Sequence, residues 1–374
     1  IGALVILFVT IPVLEYARIA AFAGGYYGLA ELGFGISAGK FVGLYRLLYD
    51  LFFDTLTSTA FAYIIYTTFY VLYNNSLSAF NPASAPSGIS GLFLGVILAG
   101  FLFYTGYGTP LYLSEEGKAP FRNVWRAIVI GVLISAVVGT ITIYAEVVGI
   151  GPSNLSLVTS VLNPGISAYL PYVGLAGIIL FVVASWLGQL MGGVSPGLGA
   201  VRDLYALGRD RFFGDKGYEF LTKKNRHEVP GNAALVNLVL GLVTTIVVET
   251  MMILIYGLPE GAFYALFLSG SMVVAYWFIL HFISDFSLLA LYVRRSVLFK
   301  SARNVIVALI SPIGAAAIFG YSFYMGYSSL PEPYFGGFIF VLLSTVAAAF
   351  YVLWLKRRGA QWDSYIRKTV KMDF

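Results

Sequence analysis

Between residues 100 and 122 the sequence reads GFLFYTGYGTPLYLSEEGKAPFR, an apolar run that carries Gly106, Gly108 and Pro110 within five positions and ends in Glu115, Glu116 and Lys118. In a helix interior each Gly costs about 1 kcal/mol against Ala and each Pro about 3, so a helix that only had to span would not collect them. The residues Phe103, Tyr104, Thr105, Gly106, Tyr107, Gly108, Thr109 and Pro110 suit an interrupted helix. Its freed backbone groups would face a small ligand, with aromatic rings interleaved to enclose it. A Pro-kinked packing helix with small residues at a helix contact explains the same residues, and this stretch alone does not separate the two.

Ionisable residues inside apolar segments are expensive and therefore functional candidates. Asp50 and Asp54 lie one helical turn apart on one face, where they could form a cation or proton vestibule or pair with Arg46 and snorkel to an interface. Glu249 reads as the deepest isolated acid, a possible proton site that burial could equally keep neutral. His281 and Asp285, at i and i+4, suit either a proton relay or a structural hydrogen bond between adjacent turns, since imidazole titrates near neutral pH.

The elements that must hold these groups follow from composition. The chain has 374 residues, of which 59% are hydrophobic, 17% aromatic and only 11% charged, far below the roughly 25% charged of soluble domains. That composition is expected of an all-α integral membrane protein. Nine segments are long enough to cross a bilayer: 1–19, 41–73, 89–113, 123–149, 172–200, 231–257, 262–293, 303–327 and 333–355. If the chain weaves back and forth, all 23 Lys and Arg fall on one side, which the positive-inside rule makes the cytoplasm and which places the C-terminus there. The opposite loops carry the sequons Asn74-Asn75-Ser76 and Asn154-Leu155-Ser156. The net charge of +5 therefore reads as membrane topology, and no nucleic-acid partner is expected. The chain opens inside an apolar run with no basic n-region or cleavage site, so a preceding helix is expected.

No cofactor or metal is expected. There is no Cys, only two His, and no P-loop, dinucleotide fingerprint or zincin motif. Gly193-Val194-Ser195-Pro196-Gly197 matches the nucleophile-elbow spacing, but it lies in an apolar helical segment without the strand and His partner that an elbow needs. Gly88-Ile89-Ser90-Gly91 likewise lacks a His by sequence logic, so no enzyme is expected.

The run from Ser114 through Glu115, Glu116, Lys118 and Pro120 to Arg122, following the Gly-aromatic stretch, resembles the cytoplasmic end of the sixth helix in the amino acid–polyamine–organocation superfamily of permeases. Arg202-Asp203-Leu204-Tyr205-Ala206-Leu207-Gly208-Arg209-Asp210, followed by Val229-Pro230-Gly231-Asn232, is similar to the loop after that family's eighth helix. Tyr16-Ala17-Arg18, Gly24-Gly25-Tyr26-Tyr27 and Gly39-Lys40-Phe41-Val42-Gly43 resemble the loop joining its second and third helices.

The resemblance implies a partial leucine-transporter-type inverted-repeat bundle. Residues 1–73 would be a remnant of the first repeat, 89–293 the second five-helix repeat, 303–355 two accessory helices and 356–374 a cytoplasmic tail, with the equivalents of helices 1, 4 and 5 missing. It further implies a plasma-membrane permease for amino acids or related amines that works by alternating access. The substrate would be held at Phe103 to Gly108, with Tyr107 as a gate. Ser195, in an expected break at Gly192 to Gly197, falls where relatives place hydroxyls around a coupling-ion site. Proton coupling is favoured over sodium, with Asp54, Ser195, Glu249, His281 and Asp285 as candidates. Glu115, Glu116, Lys118 and Arg122 would form a cytoplasmic latch. The other reading is a membrane scaffold or degenerate permease fragment that no longer transports.

Overall fold

The computed structural model describes residues 2–20, 22, 24–66, 104–116, 120–150, 164–258, 260–327 and 333–369. Phe103, Lys118, both sequons and the Gly88-Ile89-Ser90-Gly91 motif lie outside them. The described residues are helical throughout, without a strand. We number the helices α1 (Gly2–Ile19), α2 (Gly25–Phe34), α3 (Ile36–Tyr66), α4 (Thr109–Tyr112), α5 (Pro120–Ile150), α6 (Pro164–Arg209), α7 (Gly214–Leu221), α8 (Gly231–Tyr256), α9 (Glu260–Arg294), α10 (Ala302–Val305), α11 (Ser311–Tyr327), α12 (Tyr334–Arg357) and α13 (Tyr365–Thr369).

Six of these runs are long and apolar enough to cross a membrane: α5, α6, α8, α9, α10 with α11, and α12. Helices α1 and α3 coincide with the first two expected segments, and the described part of the third begins at Tyr104. Large side chains such as Leu180, Leu254, Leu343 and Phe350 project outward from α6, α8 and α12, which is what lipid rather than water tolerates. Helix α9 is the hub: two thirds of its apolar stretch is buried, against under a fifth for α5, α6, α8 and α12. It packs on α2, α3, α8 and α12.

Proline and glycine mark the departures from straight helices. Between α10 and α11 the residues Ile306–Ile310 form a π turn immediately before Ser311-Pro312, where the missing Pro N–H and its ring disturb the regular ladder. Helix α6 runs unbroken through Gly192 to Gly197, so the break expected there is absent. Its irregular residue is Gly174, at φ 65° and ψ −176°. Pro196 alone removes one backbone donor, which a packed membrane helix tolerates.

A feature the sequence reading passed over as loop is α2. Nine of its ten residues are buried, and Gly33 presses so closely on α9 that an added Cβ would lie 2.0 Å from the Ser287 carbonyl oxygen. Small residues let this helix wedge between α3 and α9.

Candidate functional site

The stretch from Tyr104 to Glu116 is not one helix. A 3₁₀ turn over Thr105–Gly108 gives way to the four-residue α4, and a second 3₁₀ turn covers Ser114–Glu116. The Thr109 N–H bonds back to the Gly106 carbonyl rather than a full α-helical turn away, so carbonyls on this segment are released from the regular ladder.

Against this segment, α5 and α6 enclose a cavity of about 560 Å³, within the roughly 300–1,000 Å³ of small-molecule sites. Tyr104, Gly106, Tyr107, Thr109 and Pro110 line one side, Asn123, Val124, Ile128, Val132 and Ser135 of α5 another, and Ser195 of α6 a third. Gly106 is exposed, and a Cβ there would meet nothing within 4 Å. The described lining has hydroxyls, an amide, a backbone stretch and apolar walls, and no ionised side chain. Ser195 donates to the Thr109 hydroxyl at 3.2 Å, tying α6 to the start of α4.

Tyr107 connects the cavity to the buried centre. Its hydroxyl lies 3.1 Å from His281 Nε2, and the same nitrogen lies 3.1 Å from the Tyr26 hydroxyl, which donates to Tyr107 at 3.3 Å. Trp277 packs on the imidazole with ring centroids 4.3 Å apart. His281 is fully buried, and Asp285 Oδ1 stands 3.8 Å from Nδ1, an ion-pair distance too long for a hydrogen bond. Gly108 is what allows Tyr26 in, because a Cβ there would come within 2.7 Å of its hydroxyl. Sequence reasoning missed Tyr26, which sits on α2, 255 positions from His281.

Asp50 and Asp54 part company. Arg46 Nη2 meets Asp50 at 2.6 Å, whereas Asp54 accepts from Asn237 of α8 at 3.2 Å. Arg46 does not snorkel. It is 4% exposed, its guanidinium carbon 4.3 Å from the Tyr49 ring and 5.0 Å from that of Tyr112 at the end of α4. Helix α3 thereby grips the far end of the interrupted segment, with the fully buried Asp203 of α6 nearby adding negative field. Glu249 is half-buried on the peripheral α8 and does not line the cavity; the buried acids among the described residues are Glu15, Glu31, Asp50, Asp203, Asp210 and Asp285.

The expected latch is built from different partners. Glu115 receives both Nη1 and Nη2 of Arg209 at 3.1 Å, a bidentate pair. Glu116 ends the second 3₁₀ turn, and Arg122 is exposed and borders a different cavity. Arg209 also stacks 3.6 Å from the Tyr365 ring centroid, which brings in the C-terminal segment. That segment docks by donating from the Asp363 and Tyr365 N–H groups to the Asp210 carbonyl and carboxylate at 3.0 and 3.1 Å. Arg367 donates to the Glu31 carbonyl at 2.9 Å.

Beneath this clasp Lys40, fully buried, donates to Asp210 at 2.6 Å, to the Tyr27 hydroxyl at 2.9 Å and to Glu31 at 3.2 Å. Burial pushes Lys40 down to about 8 and Asp210 up to about 7. Glu31 opposes the shift of Lys40, and the Tyr365 N–H and Lys368 oppose that of Asp210, without overcoming desolvation. Arg211 and Lys368 hold the largely exposed Asp363 below the usual carboxylate range, with the Lys368 hydrogen bond the larger influence. In the sequence the tail had carried only a topological meaning, and Lys40 that and a place in the loop resemblance.

No curated protein matches the chain. A family model described as Amino acid permease matches residues 62–345, about three quarters of the chain, including the interrupted segment, the cavity walls, Tyr107 and His281 but not Tyr26. The Tyr16 to Gly43 resemblance falls outside that match. A multi-pass helical membrane protein with no sign of enzyme chemistry in its motifs, matched over this length, belongs to the amino acid permease family of the amino acid–polyamine–organocation superfamily.

Proposed function

We propose that the chain is a secondary transporter of zwitterionic amino acids, coupled to protons and working by alternating access. The observation that carries this reading is Tyr107, which lines the cavity with its ring while its hydroxyl touches buried His281. A ligand in the cavity and a proton on the imidazole would thus compete for the geometry of one side chain. That is the coupling a symporter or antiporter needs.

The substrate class is argued from the lining. The described walls offer no ionised side chain to balance a net charge, so amino and carboxylate groups would be met by the carbonyls, hydroxyls and N–H groups of Tyr104 to Thr109, Asn123 and Ser135. Val124, Ile128 and Val132 would take an apolar side chain. This disfavours polyamines and cationic amines. Arg209, bound to Glu115 and to the tail, would hold the basic end closed and release it when the interrupted segment moves. The plasma membrane, with the basic face cytoplasmic, completes the proposal.

The test is uptake of labelled neutral amino acids into proteoliposomes under a pH gradient or a sodium gradient. A leucine at Gly106 projects into the cavity, whereas alanine fits the open space, so Gly106→Leu is expected to reduce uptake at least tenfold and Gly106→Ala by less than about twofold. Unchanged uptake in Gly106→Leu removes the binding assignment. A response to sodium but not to pH removes proton coupling. Absence of uptake together with absence of any ligand-induced shift in melting leaves the non-transporting scaffold.

A further inference from the structure

A second cavity, of about 530 Å³, lies between α1, α5 and the α10–α11 run. Arg18 from the last turn of α1, Arg122 from the first turn of α5 and Arg303 from α10 border it, beside Trp125. Ile11, Leu14 and Val307 line it one to two turns further into the apolar helices. Arg122 and Trp125 lie three apart on a different face of α5 from Val124, Ile128 and Gly131, so this space is separate from the substrate cavity.

The charge in this cavity is unbalanced. Glu15, 3% exposed, is bound by Arg18 at 2.7 Å and by Arg303, and accepts from the Tyr292 hydroxyl. Three guanidinium groups less one carboxylate leave +2. Arg18 and Arg303 remain about half exposed, at 53% and 52%, while sharing that carboxylate, so they keep donors facing the opening. Arg122 is exposed and has no ion-pair partner among the described residues. Guanidinium forks match phosphate oxygens, Trp sits at the headgroup level of membranes, and the apolar floor continues the surface of the spans.

We propose that this cavity binds an anionic phospholipid, its phosphate between Arg18, Arg122 and Arg303 and an acyl chain along Ile11, Leu14 and Val307. A soluble phosphate would use the arginines and leave the apolar floor without purpose. The lipid would staple α5 to the α10–α11 run across α1, which packs on both. This site is independent of what the substrate cavity takes.

The test is lipid titration of the detergent-purified chain, read by native mass spectrometry and by melting temperature. Phosphatidylglycerol is expected to bind at least tenfold more tightly than phosphatidylcholine. With about one arginine's worth of headgroup attraction removed, Arg122→Gln is expected to weaken phosphatidylglycerol about fivefold and leave phosphatidylcholine unchanged. Lys216→Gln, an exposed charge on α7, changes neither. Arg122 does not share Glu15, so its removal spares the internal ion pairs, and the comparison of the two lipids on the unaltered protein stands without any variant. Equal affinity for the two lipids, undiminished phosphatidylglycerol binding in Arg122→Gln, or stabilisation by glycerol phosphate equal to that by the lipid would overturn the proposal.

Discussion

His281 has two tyrosine hydroxyls at one ring nitrogen and a carboxylate beyond the other, in a site with no exposure. Protonation would make both ring nitrogens donors, so that Tyr26 and Tyr107 must accept at Nε2, which is the proposed physical route from a proton to the cavity wall. Gln keeps a hydrogen-bonding side chain of similar length but does not titrate. His281→Gln is expected to flatten the dependence of uptake on pH, while substrate affinity by ligand-induced melting changes less than about threefold. A variant that keeps the full pH profile would place the proton elsewhere. The spacing of His281 and Asp285 showed this pair in the sequence. Tyr26 was invisible because only the packing of α2 on α9 brings it within reach. Of Asp50 and Asp54, the spacing showed the Arg46 partner of Asp50, but not Asn237 on a distant helix, which donates to Asp54.

Among the elements, α2 is the one whose position most depends on a single atom's absence. Its contact at Gly33 leaves no room for a methyl group against the backbone of Ser287, and backbone cannot rotate away as a side chain can. Gly33→Ala is expected to destabilise by about 1–3 kcal/mol, seen as a lowered melting temperature, and to weaken proton coupling through the displacement of Tyr26. Gly35→Ala is the informative contrast. It has open space but sits at φ +106°, so its penalty is strain in one residue rather than separation of two helices. The apolar segments were readable from length and hydropathy, and their described parts coincide with helices to within about five residues, apart from α6 and the interrupted stretch from Tyr104. The break expected at Gly192 to Gly197 did not form because neighbouring helices support a Pro and several Gly in a continuous ladder, while Gly174, which drew no attention, takes the positive φ.

At the scale of the whole molecule, charge segregation and helix length are what the proposed orientation rests on. Helix α8 rises about 39 Å over 26 residues, enough to carry the chain from Lys216 near one face to Leu258 at the other. The natural absence of cysteine makes single-cysteine labelling free of background. A membrane-impermeant maleimide on intact cells is expected to label Leu258→Cys and to leave Lys216→Cys unlabelled until the membrane is opened. The reverse pattern would invert the proposed topology. The clasp formed by the 362–369 segment, Asp210, Lys40 and Glu31 lies at the Lys216 end, so the same experiment places it.

What the sequence determined by itself was the class of solvent, the approximate spans and the family; for the segment before Glu115 it raised an interruption without separating it from a Pro kink. Each of these is a local or compositional property: hydropathy over about 20 residues, glycine and proline where a helix resists them, and motif spacing. Tertiary structure alone decided which faces meet. It joined Tyr26, Tyr107 and His281 from three elements, gave Glu115 to Arg209, drew the tail over Lys40, and set three arginines from separate helices around one cavity. Those contacts depend on the rotation of each helix about its axis, which side-chain packing sets in a bundle that is apolar on nearly every face and which hydropathy therefore does not encode.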